Sequence, residues 1–147
     1  MERYASSLTW LVDTNIISEV RKGTRCHLAV AAWWPGVEDR ELFLSTLTIG
    51  EIRRGVEAVR IRDPDKARAL EAWLQAIVQA FGPRILGVDA AVAESWGRIS
   101  AIRSVPVVGA LLAATASVHG LVLVTHNAAD VAGLGLRVLN PFEPSGA

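Results

Sequence analysis

Cysteine is almost missing from this chain. Cys26 stands alone, which rules out an internal disulfide and a cysteine-based metal centre. Such usage suits a reducing compartment, and a cytoplasmic protein is expected. Net charge is missing as well, because fifteen acidic residues cancel fifteen basic ones. Without a bulk positive field, a nucleic-acid partner would need a local patch to hold it. Lysine is scarce: Lys22 and Lys66 are the only two, and the other thirteen bases are arginine. Two readings of that bias stand side by side. Arginine favours bidentate contact with phosphate or carboxylate, and a GC-rich coding sequence would produce the same excess. No apolar run reaches the length of a membrane span, so no membrane role is expected. The opening MERYASSLTWLVD has too short an apolar run for a signal peptide, and Asp13 interrupts it. Repeats, low-complexity tracts and linkers are also missing. The 147 residues suit one domain over 1–147, with fraying expected only in the closing EPSGA.

What is present is an alternation of short apolar runs and helical patterns. Leu8–Val12 (LTWLV) reads as a strand buried on both faces, the signature of a parallel sheet. Thr14 opens a helix closed by Gly23, and a short helix over His27–Trp34 stops at Pro35-Gly36. Leu42–Leu47 is the second strand. Thr48 then opens a helix, with Glu51 three residues on as a capping box. Asp63–Gln79 is an amphipathic helix with Pro64 in its first turn. Arg84–Val88 is a third strand, and Asp89 caps a helix running to about Ile102. In PVVGALLAATA, Val107 and Val108 read as the end of an extended segment, Ala110–Val118 as a buried helix, and Gly109 as the junction. Leu121–Thr125 is a strand, a loop with Asp130 follows, and Arg137–Leu139 is a last short strand. The order predicts an α/β fold, a three-layer α/β/α domain with a central parallel sheet and right-handed crossovers. Ligands of such sheets sit beyond the carboxyl ends of the strands.

Three acids fall at that edge. Asp13 ends the first strand, Glu51 lies early in the helix after the second, and Asp130 follows the LVLVT strand. Clustered carboxylates raise one another's pKa unless a cation lies between them. An oxygen-only set suits Mg²⁺ or Mn²⁺ rather than Zn²⁺, and such a site activates water for displacement at phosphorus. Each acid also has a plainer reading: Asp13 as an N-cap, Glu51 as half of a capping box, Asp130 as a loop acid. Asp89 reads as an N-cap, Glu94 as a helix-surface residue with an outside claim on the site, and His126 as structural. His27 and His119 lack partner acids. The five tryptophans read as core or interface, and the Trp33-Trp34 pair argues for a dimer surface.

LVDTNIISEV, TLTIGEIRRGV and PVVGALLAATASVHGLVLVTHNAADVAGLGLRVLNPF together resemble a PIN domain, of the VapC/FitB type found in bacterial toxin–antitoxin pairs. The resemblance runs from about Leu11 to Phe142. It implies a metal-dependent endoribonuclease toxin using Mg²⁺ or Mn²⁺, commonly a homodimer. It also implies a VapB-type antitoxin as partner, with DNA engaged only through that antitoxin. The family's pocket holds four carboxylates. Asp13, Glu51 and Asp130 match three. The fourth belongs where a P-x-x-D-A-L-x-A-A-T-A pattern has its aspartate, and here that position is Gly109. A natural loss, an alternative allele and an inactivating change all fit the sequence. Asn15, Thr125 and Asn127 carry over as residues that orient the carboxylates, and Arg53 or Arg54 as one that reaches RNA or a partner's acid. A catalytically degenerate PIN domain that binds antitoxin without chemistry is the competing reading. Phosphotransfer on a similar fold is disfavoured. Asn15 stands where a second aspartate would be needed, and both lysines precede Asp89.

Overall fold

The computed structural model describes residues 8–143. Of the expected frayed tail, 144–147 lie outside the described residues. The elements are β1 (Trp10–Val12), α1 (Thr14–Arg21), α2 (Leu28–Trp33), β2 (Leu42–Ser45), α3 (Thr46–Arg60), α4 (Pro64–Phe81), β3 (Ile85–Leu86), α5 (Ala90–Ile102), α6 (Val107–His119), β4 (Val122–Val124) and β5 (Val138–Leu139). The five strands run in the order β3-β2-β1-β4-β5, and every neighbouring pair is parallel.

Period-2 alternation in the strands sorts the core into two. Leu11 and Leu123, paired in register, face Val92 and Ile99 of α5 and the Ala110–Ala116 stretch of α6. Val12 and Val124, also paired, face Ile16, Ile17, Ile52, Leu74 and Ile77 from α1, α3 and α4. Helices therefore cover both faces, as a doubly buried parallel sheet requires.

Two expectations shift in register. Helix α3 begins at Thr46, and Ser45, not Thr48, is its N-cap: the Leu47 N–H donates to Ser45 Oγ at 3.0 Å. Thr48 is buried inside the helix, so the Thr48–Glu51 capping box does not form and Glu51 is left for other work. Val107 and Val108 belong to the first turn of α6 rather than to an extended segment. Pro106 takes the cap position, where its fixed φ fits and its missing N–H costs nothing. Gly109 thus lies inside the helix, in its first turn. Trp33 and Trp34, read as core or interface, pack half-buried onto the α1/α3/α4 core, with Trp33 edge-on to Trp10 at 5.5 Å.

Candidate active site

Parallel strands bring their carboxyl ends to one edge, and the three acids follow them there. Asp13, Glu51 and Asp130 line one cleft of about 420 Å³, together with Thr14, Asn15, Arg54, Gly109, Thr125 and Asn127. Leu112, Leu123 and Val131, all buried, complete its apolar lining.

Asp13 takes its expected place as the N-cap of α1 and also faces the cleft. Its Oδ1 accepts from the Thr14 N–H at 2.7 Å, closing the start of α1. Its Oδ2 accepts from Thr125 Oγ1 at 2.8 Å and from Asn15 Nδ2 at 3.3 Å. Burial pushes the Asp13 carboxyl above its ordinary value. The bonds from Thr125, Thr14 and Asn15 pull it back, and the Glu51 charge adds to the rise. Thr14 turns the other way and donates its hydroxyl to Glu51 Oε1 at 2.5 Å, so one residue ties the two acids together.

The neutral residues form a chain behind Asp13. Asn15 Oδ1 accepts from the His126 N–H at 3.1 Å, and Thr125 Oγ1 accepts from the Asn127 N–H at 3.0 Å. Asn127 therefore contributes its backbone. Asn140 Nδ2 reaches the His126 carbonyl at 3.3 Å, and the His126 ring stacks on Phe142 at 3.9 Å, the structural role expected of it.

Asp130 is held differently. It lies on a short 3-10 turn, Ala128–Val131, and is exposed. Its side chain accepts no hydrogen bond from the described residues, whereas its backbone carbonyl accepts from Arg103 Nη2 at 3.0 Å. The same guanidinium reaches the Ala132 carbonyl at 2.7 Å. Arg103 was not singled out from the sequence, and no local signal betrays it, since its partners lie 27 and 29 residues away. Thr14 was also missed, although a hydroxyl beside Asp13 in D-T-N was a usable hint.

Neither backbone nor space requires glycine at 109. Gly109 is not among the glycines with positive φ, and an added Cβ would meet only Val131 Cγ1 at an ordinary 3.8 Å. Among the described residues, no three His, Cys, Asp or Glu side chains draw together tightly enough to hold an ion.

Other candidates leave the site. Glu94 is exposed, pairs with Arg98 at 3.8 Å and does not line the cleft. Asp89 caps α5 through the Val92 N–H at 2.9 Å. His27 is the N-cap of α2 rather than part of the helix, accepting from the Ala29 N–H at 3.1 Å. Arg53 turns away to Glu57 and Glu71 at 3.0 and 2.6 Å, which leaves Arg54 at the cleft.

Comparison with known proteins agrees with this architecture. The family model described as PIN domain matches residues 10–131. The VapC ribonuclease Y4jK of Sinorhizobium fredii is 31% identical over 142 residues, covering 92% of this chain and 99% of that protein. The toxin FitB of Neisseria gonorrhoeae is 29% identical, covering 90% and 97%. Among solved structures, FitAcB from Neisseria gonorrhoeae superposes with a TM-score of 0.83 at 28% identity, over 92% of this chain and 99% of that one. A second structure holds FitAB on an IR36 DNA fragment and gives 0.82 at 27% identity. No described helix is long and apolar enough to cross a membrane.

Proposed function

This chain belongs to the PIN domain family, in its VapC/FitB toxin-ribonuclease branch, and on that premise we propose that it is a divalent-metal-dependent endoribonuclease toxin whose chemistry is weakened at Gly109. The observation that carries the reading is the single cleft onto which three separate strand ends deliver Asp13, Glu51 and Asp130. These side chains offer only hard oxygen donors, and Asp13 is half-buried beside a second carboxylate with no cationic group bonded to it among the described residues. A hard cation fits that need, so Asp13, Glu51 and Asp130 would hold Mg²⁺ or Mn²⁺. Such an ion supplies a water of lowered pKa and stabilises charge on the phosphoryl oxygens.

The protein's own part is positioning. Thr14, Asn15 and Thr125 fix Asp13 as an acceptor, and Thr14 fixes one oxygen of Glu51, leaving Glu51 Oε2 free of hydrogen bonds from the described residues. In hydrolysis a water oxygen bonds to phosphorus, one P–O bond to ribose breaks, and the departing oxygen takes up a proton.

Gly109 supplies no fourth oxygen. The competing reading, an antitoxin-binding PIN domain without chemistry, draws its support from that glycine and from the looseness of the acidic set. The toxin and antitoxin pairs among its relatives support a VapB-type antitoxin as partner in either case, with DNA reached through it and the cytoplasm as the site of action. A homodimer keeps only the family resemblance as support.

Gly109→Asp separates the two readings. The position lies at the third residue of α6, where a carboxylate is favoured by the helix dipole, and the added side chain has room. The variant is expected to raise Mn²⁺- or Mg²⁺-dependent RNA cleavage by about 10²-fold, the scale on which a single preorganised electrostatic group acts. Growth arrest on induction should sharpen with it. A folded Gly109→Asp protein that cleaves no RNA and is no more toxic leaves the binding-module reading in place.

A further inference from the structure

The cleft does not end at its acids. Glu51, Arg54 and Val108 also line a side groove of about 270 Å³, whose remaining wall is Thr46, Leu47 and Gly50. Thr46, Leu47, Gly50, Glu51 and Arg54 form one stripe along the first turns of α3, so the groove is a straight continuation of the cleft along that helix. Gly50 leaves it open: a Cβ there would meet nothing within 4 Å.

Arg54 stands where the two spaces join. Most neighbouring arginines are committed. Arg53 and Arg60 bind Glu57 and Glu71, Arg84 binds backbone carbonyls, and Arg103 holds the turn that carries Asp130. Arg54 is exposed; among the described residues it makes no ion pair or hydrogen bond and is the only basic residue lining the cleft. A polyanion approaching three carboxylates is repelled unless a cation receives it first, and a guanidinium grips phosphate through paired N–H donors.

We propose that Arg54 binds the phosphate next to the scissile one, and that the side groove receives the nucleotide attached to it. This rests on the ribonuclease reading above, and it assigns the single-stranded RNA its path: across the acids, over Arg54, and along α3 toward Thr46. Between Glu51 and Arg54 at its mouth the groove is walled by Thr46, Leu47, Gly50 and Val108, a largely apolar lining that suits the flat face of a base without selecting its edge pattern.

The test is binding of a short fluorescein-labelled single-stranded oligoribonucleotide in Mg²⁺, followed by anisotropy across a salt series, for the parent chain and four variants. Arg54→Ala is expected to weaken binding about tenfold and to flatten the salt dependence by about 0.7, one phosphate contact on a single strand. Arg54→Lys keeps the slope and loses part of the affinity. Gly50→Leu, which fills the groove and replaces a helix-interior glycine, is expected to weaken binding several-fold with the slope unchanged. Arg98→Ala, on α5 away from the cleft, serves as the control and leaves both quantities as they are. The subsite is overturned if Arg54→Ala behaves as Arg98→Ala while RNA is still bound. It is equally overturned if Arg54→Ala spares RNA binding and instead loosens the complex with the antitoxin, which would assign the guanidinium to a partner carboxylate. If neither the parent chain nor Gly109→Asp binds or cleaves RNA, the ribonuclease reading falls and takes the subsite with it.

Discussion

The two walls of the cleft are built on different principles. On the β1 side both oxygens of Asp13 and one of Glu51 are hydrogen-bonded. Asp13 takes three hydrogen bonds, Thr14 bridges to Glu51, and Asn15 and Thr125 are themselves held by the backbone that follows β4. On the facing side stand Gly109, which has no side chain, and Asp130, whose carboxylate is exposed and accepts nothing from the described residues. The first wall is fixed by its own hydrogen bonds and the second is not. The contrast also shows where a change is cheap to the fold. A Cβ added at 109 has room, whereas removing a group from the β1 wall orphans several.

The comparison breaks most sharply at Asp13. In a Gly109→Asp background, Asp13→Asn is expected to lower RNA cleavage by about 10³-fold in kcat, because the buried charge is the one thing amide chemistry cannot replace. Stability should move with pH. The native-state pKa of Asp13 is raised, so its ionised form is penalised on folding. That penalty is present above the raised pKa and is relieved as pH falls through it. In metal-free buffer Asp13→Asn escapes the penalty but loses one of the two carboxylate acceptors, so its urea midpoint relative to the parent's should fall as the pH is lowered. A difference that does not change with pH would contradict this account of the wall.

Thr125→Val sharpens the same comparison at smaller scale. The hydroxyl is buried and lowers the Asp13 pKa, while also accepting from the Asn127 N–H. Its loss should cost about 1–2 kcal/mol in urea unfolding. It should also move the acid limb of the cleavage profile of the Gly109→Asp protein toward higher pH. A purely structural threonine would give the first effect without the second.

Arg103→Ala probes the loose wall and should do least. The guanidinium is exposed and holds the Asp130 turn through two carbonyls. About 1 kcal/mol or less of global stability is expected to go with it. Amide exchange should quicken over 128–132 and stay unchanged at β1, and metal affinity should fall a few-fold. Equal exchange changes on both walls would show that they are one unit rather than two.

Much of this arrangement was legible in the sequence, and the reason is specific. Parallel strands read as short apolar runs, each acid follows such a run at a fixed side of the sheet, and α/β order then brings the ends together. The register of α3 was not legible, because S-T-L-T offers three hydroxyls that cap equally well on paper. Burial decided it: Thr48 is needed inside, so Ser45 takes the cap. The valines before Gly109 misled for a related reason. β-branched residues favour strands weakly, but here the two continue from Pro106 into a helix start. Trp33 and Trp34 could be read only as costly to expose, since what covers them is Trp10 and the α1/α3/α4 core, assembled from across the chain. Arg103 acts through long-range contacts that no local pattern announces.

The pairing of β1 with β4 has a consequence in time. The Asp13 N–H donates to the Val124 carbonyl at 2.9 Å, and the Thr125 hydroxyl that steadies the Asp13 carboxylate comes from 112 residues further along. During synthesis the first of the three acids leaves the ribosome early and without its supports. Asp130 is added near the end, and only then can the central strand be closed on its second side. The cleft therefore cannot be complete on a growing chain until almost its last described residues have emerged, and any activity it carries begins only then.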